Sequence, residues 1–321
     1  AALQSLRGLI VLDEIQRRPE LFPILRVLSD RRPLRSRFLI LGSASPDLLE
    51  QSSETLAGRV EMIEMGGFDL TEVGSERLQR LWLRGGFPRA FVARSLDAST
   101  TWRNNLITTF LERDIPQMGL RLPAPALRRF WNMIAHYHGQ TWNASEIGRS
   151  LGVSDQTTRR YLDTLSGACM VRQLAPWFEN LGKRQVKAPK VYVRDSGLLH
   201  SLLGVGSYRE VLGHPKCGAS WEGFALEEVL SALQPREAYF WAVHGQAELD
   251  LLIFDRGKRL GFEFKFADAP AATRSMHTAM KDLGLASLHV VYPGDRRYQL
   301  HDKMEALPLT AVRDAFPRPR R

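Results

Sequence analysis

The sequence predicts an α/β protein in three parts: a parallel sheet at the start, a helical middle with a helix-turn-helix, and a second α/β unit at the end. Three observations predict it. Over the first 65 residues, the apolar runs GLIVL and RFLIL alternate with helical stretches, the pattern of a parallel sheet. In the middle, two short helical stretches flank Gly152-Val153. From residue 216 onward the order is helix, three strands, helix, strand. The chain has 321 residues, which suggests two or three domains at about 100–200 residues each. Hydrophobic residues at 44% and charged residues at 25% exclude disorder, collagen and coiled coil as descriptions of the whole. Lys plus Arg outnumber Asp plus Glu by 44 to 35, and the net charge of +9 favours a polyanionic partner such as DNA.

Cys169 and Cys217 cannot form a disulfide framework and do not make a zinc site. They read as two buried small hydrophobes in a reducing, cytoplasmic compartment. No apolar run reaches the roughly 20 residues that cross a bilayer, so no membrane association is expected. The chain opens on Ala1, almost directly with a strand, and without a signal peptide; it reads as truncated at its amino end.

In the first part, residues 1–95, the run at residues 8–12 predicts a strand buried on both faces. Residues 21–28 predict a helix, residues 37–41 a second strand, residues 46–56 a second helix, and VEMIEM a third strand. Ligand sites in such sheets lie at the carboxyl ends of the strands. Asp13-Glu14 and Ser43 stand there. An apolar strand ending in Asp-Glu is the Walker B arrangement: the Asp holds the water shell of a magnesium ion and the Glu polarises the attacking water. Arg59, in LAGR, follows the second helix, and from the residues alone it reads as a partner in a surface ion pair. A phosphate-cradling G-x-x-x-x-G-K-[ST] loop is not found in the 321 residues. ATP binding and hydrolysis by this chain alone are therefore not expected.

In the middle part, residues 96–215, helices are expected at residues 97–114 and 124–138. Asn143 or Ser145 caps SEIGRSLG, Gly152-Val153 turns, and Ser154 caps DQTTRRYLDTL. The strand-like MVRQLAP follows, as in a winged helix. The second helix would present Gln156, Thr157, Arg159 and Arg160 to a groove or to phosphates. The alternative is a packing or oligomerisation module. Lys183, Arg184, Lys187 and Lys190, beside Trp177 and Phe178, either line a nucleic-acid path or form a solvated hairpin.

In the last part, residues 216–321, the order of elements is that of the restriction-endonuclease core. Glu263 and Lys265 are two apart on a strand and share a face, with Phe262, Phe264 and Phe266 on the other. Asp250 on the preceding strand and Glu222 on the preceding helix add carboxylates. Asp-x12-Glu-x-Lys is the PD-(D/E)xK spacing, here without the Pro and with Glu248 before the Asp. Asp250 and Glu263 would hold magnesium or manganese, and Lys265 would orient the attacking water. The alternative is a surface ion pair between Glu263 and Lys265.

Taken together, LIVLDEIQRRPELFPILRVL, LGSAS, LAGR, LRGGFP, LGVSDQTTRRYLDTL, PWFENLGKR, KVYVRDSGLL, SWEGFALEEVL and AELDLLIF with GFEFK resemble a prokaryotic family of AAA-type ATPases. Members carry a helix-turn-helix and then a C-terminal domain of unknown function related to PD-(D/E)xK nucleases. The resemblance implies a partial P-loop ATPase domain. It gives Asp13 and Glu14 the Walker B roles, Ser43 or Ser45 sensor 1, and Arg59 a possible finger. ATP and magnesium are the implied cofactors, DNA and a homo-oligomer the implied partners. Three functional readings remain open: an ATPase acting on or near DNA, a metal-dependent nuclease, and a non-enzymatic DNA-binding or oligomerisation protein.

Overall fold

A computed structural model describes residues 2–15, 18–42, 56–61, 63–117, 123–179 and 185–317. They divide into two compact units: residues 1–65 with 160–170, and residues 66–159 with 171–321.

In the first unit, β1 (Gly8–Leu12) pairs in parallel with β2 (Ser36–Ile40), Gly8 opposite Ser36 and Leu12 opposite Ile40. The connection contains the helix Phe22–Ser29, whose Phe22, Leu25 and Leu28 recur at three-residue spacing and are buried. Ile15, Phe22, Leu25 and Leu56 form the core, with Leu12, Phe38 and Ile40 packed against it. The ladder extends past the strand ends through Leu41 N–H to Leu12 O at 2.8 Å and Ile15 N–H to Leu41 O at 3.2 Å. Two expectations fail here. β1 is not buried on both faces: Leu9 is 67% and Val11 52% exposed, because the described core lies against one side only. The strand expected over VEMIEM does not form among the described residues of that stretch, and Ile63 and Met65 are exposed. Its apolar residues find no ladder partner, and strand propensity without one is weak. The helix expected at residues 46–56 falls almost entirely outside the described residues.

The second unit is built on a nine-stranded mixed sheet, ordered β10-β11-β9-β8-β7-β6-β4-β5-β3. The strands are β3 (Gln140–Thr141), β4 (Val171–Pro176), β5 (Lys190–Val193), β6 (Ala238–Val243), β7 (Ala247–Asp255), β8 (Lys258–Phe264), β9 (Ser287–Tyr292), β10 (Tyr298–His301) and β11 (Met304–Pro308). β6, β7 and β8 are an antiparallel meander, and β9 joins β8 in parallel through the helix Arg274–Asp282. One core cluster sets Trp221, Phe224 and Val229 of the helix Cys217–Leu233 against Phe240, Leu251, Phe262 and Phe264. A second sets Met276, Ala279 and Leu283 against Trp241, Leu249, Leu288 and Val290. The sheet is continuous across residue 215: β4 pairs in parallel with β6, Ala175 opposite Tyr239, and Trp177 N–H extends the ladder to Phe240 O at 2.7 Å. The strand expected as a wing is thus β4, hydrogen-bonded to β5 on one side and β6 on the other.

The helix expected at residues 97–114 runs Leu96–Thr109 and then loosens into a π-helical turn, Phe110–Asp114; the next is Ala124–His136. The helix-turn-helix elements are Ala144–Leu151 and Asp155–Gly167. Asn143 caps the first by accepting the Glu146 N–H. Gly152 turns with φ at 72°, a left-handed conformation that favours glycine. Ser154 accepts the Thr157 N–H at the next start. A Cβ on Gly148 would lie 2.8 Å from Val153 O, so the tight turn also needs a glycine there. Neither cysteine is a buried small hydrophobe: Cys169 is exposed and Cys217 half-buried. Among the described residues no helix is long and apolar enough to cross a membrane.

Candidate functional site

Two places gather the residues singled out in the sequence. At the end of β1, Asp13 turns its Oδ1 back to accept the Glu14 N–H at 3.0 Å. Glu14 adopts φ of 54°, the left-handed region that a non-glycine residue enters at a cost. Arg59 makes a bidentate pair with Asp30, Nε to Oδ1 at 2.6 Å and Nη2 to Oδ2 at 2.9 Å, and donates to Ala57 O. That guanidinium holds the Asp30 carboxyl below its usual value. Ser43 and Ser45 lie outside the described residues.

The second place is a buried centre of carboxylates and ammoniums. β7 pairs with β8 so that Leu251 faces Phe262, which sets Asp250 beside Glu263. Alternation along β8 leaves Phe262 and Phe264 in the core and separates Glu263 from them. Lys265 Nζ lies 3.0 Å from Glu263 Oε2. The helix Cys217–Leu233 brings Glu222, so the four residues expected from the last part do come together. Phe266 differs from expectation: it is 36% exposed, its ring tilted against Trp82 and Trp221.

A fifth residue sits among them. Lys190, 4% exposed, enters from β5. Its Nζ lies 3.2 Å from Glu222 Oε1 and 3.2 Å from Asp250 Oδ1, and pairs also with Glu248 Oε1. The second Asp250 oxygen accepts the Phe264 N–H at 3.1 Å. Tyr192, two residues beyond Lys190 on the same strand, donates its hydroxyl to Glu222 Oε1 at 2.7 Å. Lys190 therefore does not belong to an exposed basic stretch. Lys-x-Tyr at the period of a strand puts both side chains on one face, and KVYV is buried throughout.

Burial, with the Asp250 carboxylate close by, pushes Glu222 up to about 7 and Glu263 up to about 8. Burial also acts to raise Asp250, but Lys190, Lys265 and the Phe264 N–H outweigh it and hold that carboxyl below its usual value. Burial opposes the charge on Lys190. Tyr192, Glu222, Asp250 and Glu248 more than offset it, and the ammonium is held well above its ordinary value.

The place expected to hold a magnesium or manganese ion, beside Asp250 and Glu263, has an ammonium in it. Among the described residues no group of three or more His, Cys, Asp and Glu side chains is disposed to hold a metal ion. The physical reason is visible at the centre: an ammonium stands between the carboxylates, and Asp250 has one oxygen on it and the other on a backbone N–H. The residues present do not fit a divalent ion.

Of the expected nucleic-acid contacts, Gln156, Arg159 and Arg160 are exposed on the helix Asp155–Gly167, and Thr157 is half-buried. Lys183 and Arg184 lie outside the described residues.

Uncharacterized protein Rv2008c of Mycobacterium tuberculosis is 53% identical over 311 residues, which is 97% of this chain and 70% of that protein. The chain belongs to the family of that protein. Uncharacterized protein Mb2031c of Mycobacterium bovis matches to the same extent. Residues 1–74 match an AAA domain, residues 75–209 a domain of unknown function (DUF8612), and residues 217–312 another (DUF4143). Asp13 and Glu14 fall within the AAA match, and Glu222, Asp250, Glu263 and Lys265 within the last. A solved structure, protein VC1899 from Vibrio cholerae, aligns over 97% of this chain and 89% of its own at 12% identity; its TM-score of 0.22 carries no argument.

Proposed function

We propose that this family couples ATP binding and hydrolysis, through the first unit, to an action on or near DNA in the cytoplasm. The observation that carries the reading is Asp13-Glu14 at the carboxyl end of a parallel strand, inside the stretch that matches an AAA domain. Asp13 would hold the water shell of the magnesium ion that accompanies ATP, which neutralises charge on the phosphates when bound. Its carboxylate is already oriented by the Glu14 N–H. Glu14 would take the proton of the attacking water. Arg59 is tied to Asp30, so a finger role requires that pair to open. The 321 residues hold no phosphate-cradling loop of the G-x-x-x-x-G-K-[ST] type, so turnover of ATP by this chain alone is not expected. A test joins the chain behind a strand, loop and helix carrying G-x-x-x-x-G-K-[ST]. That fusion should hydrolyse ATP, and Glu14→Gln should bind ATP without turning it over.

The DNA part of the reading is supported by Gln156, Arg159 and Arg160, exposed on one helix at spacings of three and four residues after a capped turn. Changing both arginines to Gln should weaken binding to duplex DNA and lower the slope against log salt by about 0.9 for each phosphate no longer neutralised. Unchanged affinity at low salt would make the helix pair a packing or oligomerisation module. Cleavage of DNA is not part of the proposal, because Lys190 occupies the carboxylate centre that cleavage would use.

A further inference from the structure

We infer that Lys190 is the resident cation of the C-terminal centre: its ammonium stands in the place of a divalent ion, and the centre is an internal ion cluster that is closed to metal. An ammonium has three donors and no acceptor. Here it donates to Glu222 Oε1 and Asp250 Oδ1 and is ion-paired with Glu248 Oε1, three carboxyls around one ammonium. The carboxylates come from a helix and from alternate positions of β7, as ligands of a single central cation would. The lysine is anchored at its backbone. Its backbone is paired on both sides, with Leu174 of β4 and Thr141 of β3, and Trp142 N–H is bonded to Pro189 O at 2.7 Å. Its ammonium also lies 5.7 Å from the Phe240 ring centroid. Lys265 Nζ lies 3.0 Å from Glu263 Oε2, so the remaining carboxyl also has an ammonium against it.

A magnesium ion requires oxygens at about 2.1 Å in near-octahedral array and would share its position with a buried positive charge. The same reasoning predicts what removes the exclusion. With the Lys190 ammonium gone, Glu222, Glu248 and Asp250 converge on a vacated point with Lys265 as the remaining positive group, and such a cluster, three carboxyls to one ammonium, invites a divalent ion. The inference is independent of the ATP reading, since every residue involved lies in the second unit.

The test is manganese binding to the full chain, followed by the paramagnetic signal of free Mn²⁺, with no cleavage assay involved. The wild-type protein should show no site tighter than millimolar, and its Tm should be the same in manganese and in chelator. Lys190→Ala should gain one site with a dissociation constant at least tenfold lower. The double variant Lys190→Ala with Asp250→Asn should lose it. If Lys190→Ala is unfolded in chelator, manganese should restore its far-UV circular dichroism. The inference is overturned by a wild-type site of equal affinity, by a folded Lys190→Ala with no gain, or by an unfolded Lys190→Ala that manganese does not restore.

Discussion

Glu228 is a carboxyl that the fold holds protonated near neutral pH. It sits on the helix Cys217–Leu233, where its Oε2 accepts the Leu70 N–H at 2.9 Å. Burial, with Asp69, Glu227 and Glu72 nearby, pushes it up to about 8 against an ordinary 4.5. A carboxyl raised in the folded state costs stability as pH rises: below 4.5 both states are protonated, and between 4.5 and about 8 only the unfolded chain ionises freely. The difference of about 3.5 units corresponds to about 5 kcal/mol at 1.36 kcal/mol per unit, a ceiling. The side chain is half-buried, and solvent screening reduces the effect to about 2–3 kcal/mol. Glu228→Gln keeps an acceptor for Leu70 and removes the titration. Urea unfolding at steps from pH 4.5 to 8.5 measures it, and tryptophan fluorescence is the suitable probe because all seven Trp residues lie in the second unit. The wild type should lose stability across this window relative to the variant, with the curves meeting at the acid end. Parallel profiles would refute the reasoning. Glu222 and Glu263 titrate in the same direction in both proteins, so the difference isolates Glu228.

Two substitutions test the packing that positions the centre. Arg103, fully buried, donates to Leu83 O at 3.1 Å and Gly197 O at 2.7 Å; Leu83 O also has His200 Nδ1 at 3.1 Å, so Arg103→Met takes the guanidinium partner from Gly197 O and should cost about 1–3 kcal/mol in urea unfolding. A loss under 1 kcal/mol would mean that water replaces the guanidinium. Gly223→Ala would place a Cβ 2.2 Å from His138 Nε2, on a ring fixed by the Val193 N–H to its Nδ1, and should lower stability by about 1–3 kcal/mol. An unchanged midpoint would show that the helix beside Glu222 has room to move.

How much of this was legible in the sequence depends on how local each signal is. Glu263 and Lys265 were legible because period-two alternation is a property of one strand, and Asp250 because one hairpin, β7–β8, carries it to its partner. Glu222 followed from the order of elements. Lys190 was not legible as a member, because its partners stand 32 and 60 residues away and are reached only once β5, β4 and β6 pair. A lysine near other basic residues reads as solvated unless that pairing is known. The metal expectation counted the carboxylates and not the internal counter-ion beside them. In the first unit, the apolar run of β1 implied burial on both faces, but a run records only what a strand can bury. Leu9 and Val11 remain exposed because the core of the described residues covers one side.

The ATP role proposed for Asp13 and Glu14 requires a phosphate-cradling loop from outside these 321 residues. Titration of a fluorescent ATP analogue with magnesium tests that central claim most directly, run on this chain alone and on the fusion that supplies the loop. The chain alone should show no saturation up to hundreds of micromolar, and the fusion should bind. Micromolar binding by the chain alone would contradict the claim.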